Sequence, residues 1–298
     1  MRAPGLIVEE LAVNGGHDSR HRSWPLAAEG PYAARHDMTE LRTGWEPETP
    51  DEDFVLRQAL YNFTDFNVGI AGVLGARLRR SSYLALADLG RPSGFMNNAT
   101  FLRPPEPAHV PFLLDEIQAF FAEEASGPPV DVWSAWPTPD FRERGWELGG
   151  HPPLMLRPPG GDAPAAPEEL EIRDVTTADA VREFERVLAT SFGQPDGPFV
   201  FDERLLGIDR LHMWIGYVDG AAVGTAAVCT TRGVNGVQTV ATLPEFRGRG
   251  YGEALTWTAT RAEPGQPAVL LSSDLGRPVY ERMGYIALLR FSYWRMPR

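Results

Sequence analysis

The chain reads as an α/β protein, more closely an α+β mixed sheet, built from two tandem units. Three observations point there. Residues 170–298 carry apolar periods in the order of an antiparallel meander followed by a strand–helix–strand unit. A stretch rich in proline and glycine, residues 157–169, separates them from what precedes. The earlier half repeats the same ending in fainter form. There Phe141-Arg-Glu-Arg-Gly-Trp146 resembles Tyr280-Glu-Arg-Met-Gly-Tyr285 and follows a short apolar run, Val130-Asp-Val-Trp-Ser134. The expected organisation is a poorly patterned arm over 1–37, a first domain over 38–156, a linker over 157–169 and a second domain over 170–298.

Within the second half, residues 170–175 alternate as a strand does. Thr177 stands at a helix N-cap, ahead of Ala180, Val181, Phe184, Val187 and Leu188 at helical spacing. A short helix is expected over 201–206. Strands over 211–218 and 222–230 meet at the Asp219-Gly220 hairpin signal. A third strand, 237–243, ends at Pro244. Residues 250–263 read as a helix stopped by Pro264-Gly265. A buried strand over 268–272, a helix over 277–283 and closing strands over 285–296 complete the unit. In the first half, residues 112–124 form an amphipathic helix with Leu113, Ile117, Phe120 and Phe121 on one side. It occupies the place of 250–263.

Composition narrows the function classes. Hydrophobic residues make up 43% and charged residues 23%, the balance of a globular protein. No apolar run approaches the roughly 20 residues that a membrane helix requires. The first residues lack the apolar core of a signal peptide. A cytoplasmic protein without a membrane partner is therefore expected. The net charge of −12 argues against a nucleic-acid partner, because phosphate neutralisation needs a basic face. All 28 basic residues are Arg. The single Cys229 lies in the apolar run Ala226-Ala-Val-Cys229, where a core thiol is the reading.

The chemistry is concentrated after the third strand. Glycines at 248, 250 and 252 let the backbone approach a ligand closely. The free N–H groups of a helix start, with its dipole, attract an anion. Arg247 and Arg249 add positive charge. The loop is not a dinucleotide fingerprint, since a meander precedes it, and it lacks the Gly-Lys-Ser/Thr ending of a Walker loop.

Val240-Ala-Thr-Leu-Pro-Glu-Phe-Arg-Gly-Arg-Gly-Tyr-Gly252 resembles the coenzyme A motif of the GCN5-related N-acetyltransferases (GNAT), with Arg247, Gly250 and Gly252 at its key positions. Gly276-Arg-Pro-Val-Tyr-Glu-Arg-Met-Gly-Tyr285 resembles that family's second motif. The likeness is strong over 168–298 and weak over 38–156, which reads as a degenerate copy without a phosphate loop. It implies two tandem acyl-CoA N-acyltransferase-like domains, acetyl-CoA as co-substrate without a metal, and direct transfer to a primary amine of a small molecule or peptide. It also implies that the backbone of Gly248, Arg249, Gly250, Tyr251 and Gly252 holds pyrophosphate. Val240, Ala241 and Thr242 would pair with the pantetheine arm, in a wedge opened by a bulge or splay after their strand. Tyr280 would protonate the departing thiolate.

No general base stands out. The strand before the loop, Val237-Gln-Thr-Val-Ala-Thr242, has no carboxylate; Gln238 can orient a water but cannot take a proton. Asp202 and Glu203 are candidates for gripping a cationic acceptor, and Asp274 for facing the cleft. The first half is expected to shape the acceptor side, with Trp133 and Trp136 either lining a pocket or packed in the core. The missing base keeps open a second reading, a non-catalytic acyl-CoA-binding module. A monomer or a homodimer is expected.

Overall fold

The computed structural model describes Trp45 and residues 54–92, 96–122 and 127–298; the N-terminal arm and the end of the helix predicted over 112–124 lie outside the described residues. Helix α1 (Val55–Val73) buries Leu60, Phe63, Phe66 and Ile70 along one side. Strands β1 (Arg77–Arg80), β2 (Leu84–Asp88) and β3 (Asn98–Phe101) follow as an antiparallel meander. Helix α2 (Val110–Ala122) crosses over, so that β4 (Val130–Ser134) lies parallel to β3. A 3-10 turn at Phe141–Arg144 leads to β5 (Glu147–Gly150) and β6 (Pro153–Arg157).

The second half begins with β7 (Glu171–Asp174) and α3 (Ala178–Ser191), whose Thr177 hydroxyl accepts the Ala180 N–H at 3.2 Å, as an N-cap should. Strands β8 (Leu211–Val218), β9 (Ala221–Cys229) and β10 (Asn235–Thr242) form its meander. Helix α4 (Tyr251–Thr260) crosses over to β11 (Ala268–Leu271), parallel to β10. Helix α5 (Arg277–Arg282), β12 (Ile286–Arg290) and β13 (Ser292–Met296) close the chain. The helix expected over 201–206 is a 3-10 turn at Glu203–Gly207, and α4 stops at Thr260, ahead of Pro264.

The two halves share one connectivity. Each parallel pairing starts at a fully buried asparagine, Asn98 in β3 and Asn235 in β10. Each half then ends in two strands, and the last of these leaves for the other half's sheet. The strand orders are β1-β2-β3-β4-β13-β5 and β12-β6-β11-β10-β9-β8-β7. Strand β13 lies between β4 and β5, while β6 lies between β11 and β12. This exchange corrects the expected boundary. Residues 153–156, placed in the first domain from the sequence, form an interior strand of the second sheet. The closing strands over 285–296 belong to two sheets. The break falls at Phe291, which is fully buried and whose N–H donates to the Pro152 carbonyl at 2.9 Å, so the two crossover points bond to each other.

Helix α1 reaches across as well. Its Phe66 and Ile70 share a core with Phe184 and Leu188 of α3 and Met213 of β8. Asn62 donates to the Cys229 carbonyl at 2.7 Å, and a Cβ on Gly236 would lie 1.7 Å from Asn62 Oδ1. That approach requires glycine at position 236. Cys229 is a buried core thiol, and burial pushes its pKa up.

Candidate active site

Strands β10 and β11 pair only at their beginnings, Asn235 with Ala268 and Gly236 with Val269. Beyond that they part. The register of β10 against β9 slips between Gln238 and Ala241. Inside the slip Thr239 has φ 49°, a left-handed value that is costly for a β-branched residue. Its carbonyl accepts the Thr225 hydroxyl at 2.9 Å, which holds the bulge. The bulge bends β10 away from β11 and leaves a wedge between them. The opening expected from the sequence thus lies within β10 itself.

The wedge runs to the start of α4. Gly248 (φ 77°) and Gly250 (φ 84°) take left-handed conformations that only glycine adopts without cost. Gly250 is the N-cap and offers no side chain to the helix start. The N–H groups of residues 248–253 have no protein partner among the described residues. A Cβ on Gly252 would come within 3.0 Å of Thr242 Oγ1, closing the gap between helix and strand. Open N–H groups, a dipole end and a glycine-lined floor suit a pyrophosphate.

Not every residue of the loop contributes in the expected way. Arg247 donates from Nε to the Thr242 carbonyl at 3.0 Å and from Nη2 to the Ser191 carbonyl at 2.9 Å. Its guanidinium ties the loop to β10 and α3, and it occupies the Thr242 oxygen that the pantetheine reading uses. The Tyr251 ring is buried and its hydroxyl donates to Glu169 at 2.7 Å, so only its backbone faces the loop. Arg249 donates to the Glu245 carbonyl at 3.3 Å and stays exposed.

One open cleft of ≈ 1330 Å³ joins the wedge, the loop and the α5 side. Tyr280 lines it. Burial pushes its phenol up to about 12, so the group keeps its proton at neutral pH; its hydroxyl has no partner among the described residues. Gln238, Val240, Ala241 and Asp274 line the same cleft. Asp202 and Glu203 do not. Asp202 caps the 3-10 turn through the Arg204 N–H at 3.0 Å and pairs with the Arg204 guanidinium, and Glu203 is exposed beside it. These two residues, expected from the sequence to grip the acceptor, are thus not brought together with the loop and Tyr280.

The far wall comes from the first half and from β13: Phe63, Phe66, Trp133, His151 and Tyr293. His151 follows the glycine pair Gly149-Gly150 at the crossover between β5 and β6. Its Nδ1 lies 3.3 Å from the Phe291 carbonyl. A carbonyl only accepts, so Nδ1 carries the hydrogen and the neutral ring keeps its lone pair on Nε2. Its own carbonyl accepts from Arg290 Nη1 at 2.7 Å. Sequence reading did not single it out; the only signal was a histidine between paired glycines and prolines. Trp136, by contrast, packs beside the core near Phe63 and Phe291. Among the described residues no cluster of His, Cys, Asp or Glu could hold a metal ion, and no helix is long and apolar enough to cross a membrane.

Residues 209–287 match the family model described as the Acetyltransferase (GNAT) domain. No curated protein matches the chain. Among solved structures, a GCN5-related N-acetyltransferase from Kribbella flavida is 22% identical, with a TM-score of 0.60 over 80% of this chain and 96% of its own. A GNAT-family protein from Novosphingobium aromaticivorans is 16% identical, with a TM-score of 0.51 over 83% of this chain and 99% of its own. The fold is similar to that of these proteins, and the family model covers residues 209–287 of the second half.

Proposed function

We propose that the chain is an acetyl-CoA-dependent N-acetyltransferase that passes acetyl directly to a primary amine of a small molecule or peptide. The observation that carries this reading is the bulged, splayed β10 leading into the open N-terminus of α4. Acetyl-CoA supplies the acetyl group as a thioester, whose carbon–sulfur bond is exchanged for a carbon–nitrogen bond to the amine. The N–H groups of residues 248–252 hold the pyrophosphate, and the free edge of Val240 and Ala241 pairs with the pantetheine amides as an added strand does. His151 Nε2 takes the proton that leaves the amine. Tyr280 delivers its phenolic proton to the departing sulfur and recovers one from solvent.

The test is release of coenzyme A thiol from acetyl-CoA across a panel of primary amines, beside calorimetry of coenzyme A. Amine-dependent release supports the reading. Tight binding without release on any amine supports the alternative, a non-catalytic acyl-CoA-binding module. His151→Gln retains a hydrogen-bond donor and loses the basic ring nitrogen, so kcat/KM should fall while coenzyme A affinity holds. An unchanged kcat/KM would remove His151 from the proton path.

A further inference from the structure

We infer that the acceptor is a single primary amine carried on a flat, apolar or aromatic body, which lies against the ring wall of the first half and brings its nitrogen to His151. The inference rests on the donor-site reading above and concerns the opposite wall of the same cleft.

That wall is a run of rings. Trp133 of β4 and Tyr293 of β13 stand on adjacent strands in register, their rings stacked at 4.3 Å and 10°. Phe63 meets Trp133 edge-on at 5.4 Å. The stack is fixed from below. The Tyr293 hydroxyl donates to Asp131 at 2.7 Å and accepts from Arg295 at 3.1 Å, so it is committed to the protein and is not offered to a ligand. Glycine at 149 is required beside it, since a Cβ there would lie 2.4 Å from the Tyr293 ring. Such a wall gains by covering apolar area with a rigid partner.

The polar groups of the cleft exclude the other acceptor classes. A polyamine needs several unpaired carboxylates. Those lining the cleft are Glu253 and Asp274, and each lies near an arginine, Arg282 at 3.8 Å and Arg290 at 3.9 Å. An anionic acceptor needs a free cation near the rings, yet of the two arginines lining the cleft Arg247 donates to two carbonyls, and Arg282 donates to the Pro278 carbonyl and lies beside Glu253. A sugar needs a dense set of free donors and acceptors. Asn67, the amide nearest the rings on α1, already donates to the Phe63 carbonyl at 3.0 Å. The side chains of Gln238, Thr239 and Tyr280 line the donor side of the cleft without a hydrogen-bond partner among the described residues, and His151 offers a ring nitrogen beside the aromatic wall, where one amino group can be oriented.

The experiment uses the full chain saturated with coenzyme A, which cannot react, and calorimetry with phenethylamine and spermidine as probes. Phenethylamine should bind at one site and more tightly than spermidine. Trp133→Ala should weaken it by about tenfold or more, the scale of a lost aromatic contact with its area. Trp133→Phe, which keeps a ring, should weaken it less. Coenzyme A affinity unchanged in both variants reports that the fold and the donor site survive. Tighter spermidine binding, no phenethylamine binding, or unchanged phenethylamine affinity in Trp133→Ala overturns the inference and leaves the donor reading standing. Failure of coenzyme A to bind the unaltered chain overturns the donor reading instead.

Discussion

The two halves share a connectivity, yet among the described residues only the second opens its crossover helix with a run of glycines in left-handed conformations. The difference is concentrated in the stretch between the third meander strand and the crossover helix. In the second half, β10 bulges at Thr239 and parts from β11, and the loop reads Arg247-Gly-Arg-Gly-Tyr-Gly252. In the first half, β3 pairs with β4 over Asn98, Ala99 and Thr100. The loop after it reads Leu102-Arg-Pro-Pro-Glu-Pro-Ala-His109. Proline has no N–H, so three donors that could face a phosphate are missing before α2 begins. Phe141 is fully buried against Trp146 and Trp294 and offers no hydroxyl where Tyr280 lines a cleft. Where a helix start depends on backbone groups left open, few residues separate a half that presents them from one that does not. The first half instead contributes Phe63, Phe66, Trp133 and His151 to the lining of the cleft.

The largest effect should come from undoing the exchange that binds the halves together. Deleting 292–298 removes the strand between β4 and β5 and takes Arg298 from the buried carboxylate of Asp88. Each sheet depends on a strand from the other half, so the truncated chain should lose its cooperative thermal transition, as read by circular dichroism. A truncated chain that melts as sharply as the full one would show that the halves are independent. For the same reason, cutting the chain near Gly160 should not yield two folded halves.

Next is Gly250→Asp, which makes the second loop as unable to hold an anion as the first. A carboxylate at the helix start repels phosphate, and φ 84° strains any residue with a Cβ. Coenzyme A binding should vanish in calorimetry while the melt stays cooperative. Retained affinity in a folded variant would move the site elsewhere.

Tyr280→Phe gives the second half the residue its counterpart already has in Phe141. Coenzyme A affinity should hold, and single-turnover transfer should fall by about 10²–10⁴-fold, the usual contribution of a positioned acid. Chemistry at the original rate would assign the proton to water. Single turnover is needed because product release masks a chemical step in steady-state rates.

The smallest effect separates the halves by pH. Burial pushes Asp131 of β4 up to about 6, against hydrogen bonding from Tyr293 and the charge of Arg295. The first pair of the second parallel ladder is Asn235 with Ala268, and Ala268 stands where Asp131 does beside Asn98. A raised carboxylate binds its proton more tightly in the folded state. Its contribution is greatest below its unfolded pKa of about 4 and is lost as pH rises through about 6. Asp131→Asn removes that dependence. The Tm of the variant relative to the unaltered chain should therefore rise between pH 4 and pH 7 and level off above. A flat difference would show that folding leaves the Asp131 pKa unshifted.

The order of the elements in the second half, the N-cap at Thr177 and the glycine-rich start of α4 were legible in the sequence. Each is a local property: an apolar period within a dozen residues, a hydroxyl before a helix, or glycines where φ must be positive. The aromatic wall of the cleft was not legible. Phe63, Trp133, His151 and Tyr293 come from α1, β4, a crossover and the last strand, and no periodicity links them. Their meeting depends on β6 and β13 changing sheets, which follows from long-range strand pairing. Arg247 shows the same limit on a smaller scale. Its motif predicts a place beside a phosphate, whereas its guanidinium donates to the carbonyls of Thr242 and Ser191, at a bulged strand and a helix end. A chain specifies its turns and periods residue by residue, whereas the partners of a strand edge or a guanidinium are set only once distant segments have been brought into contact.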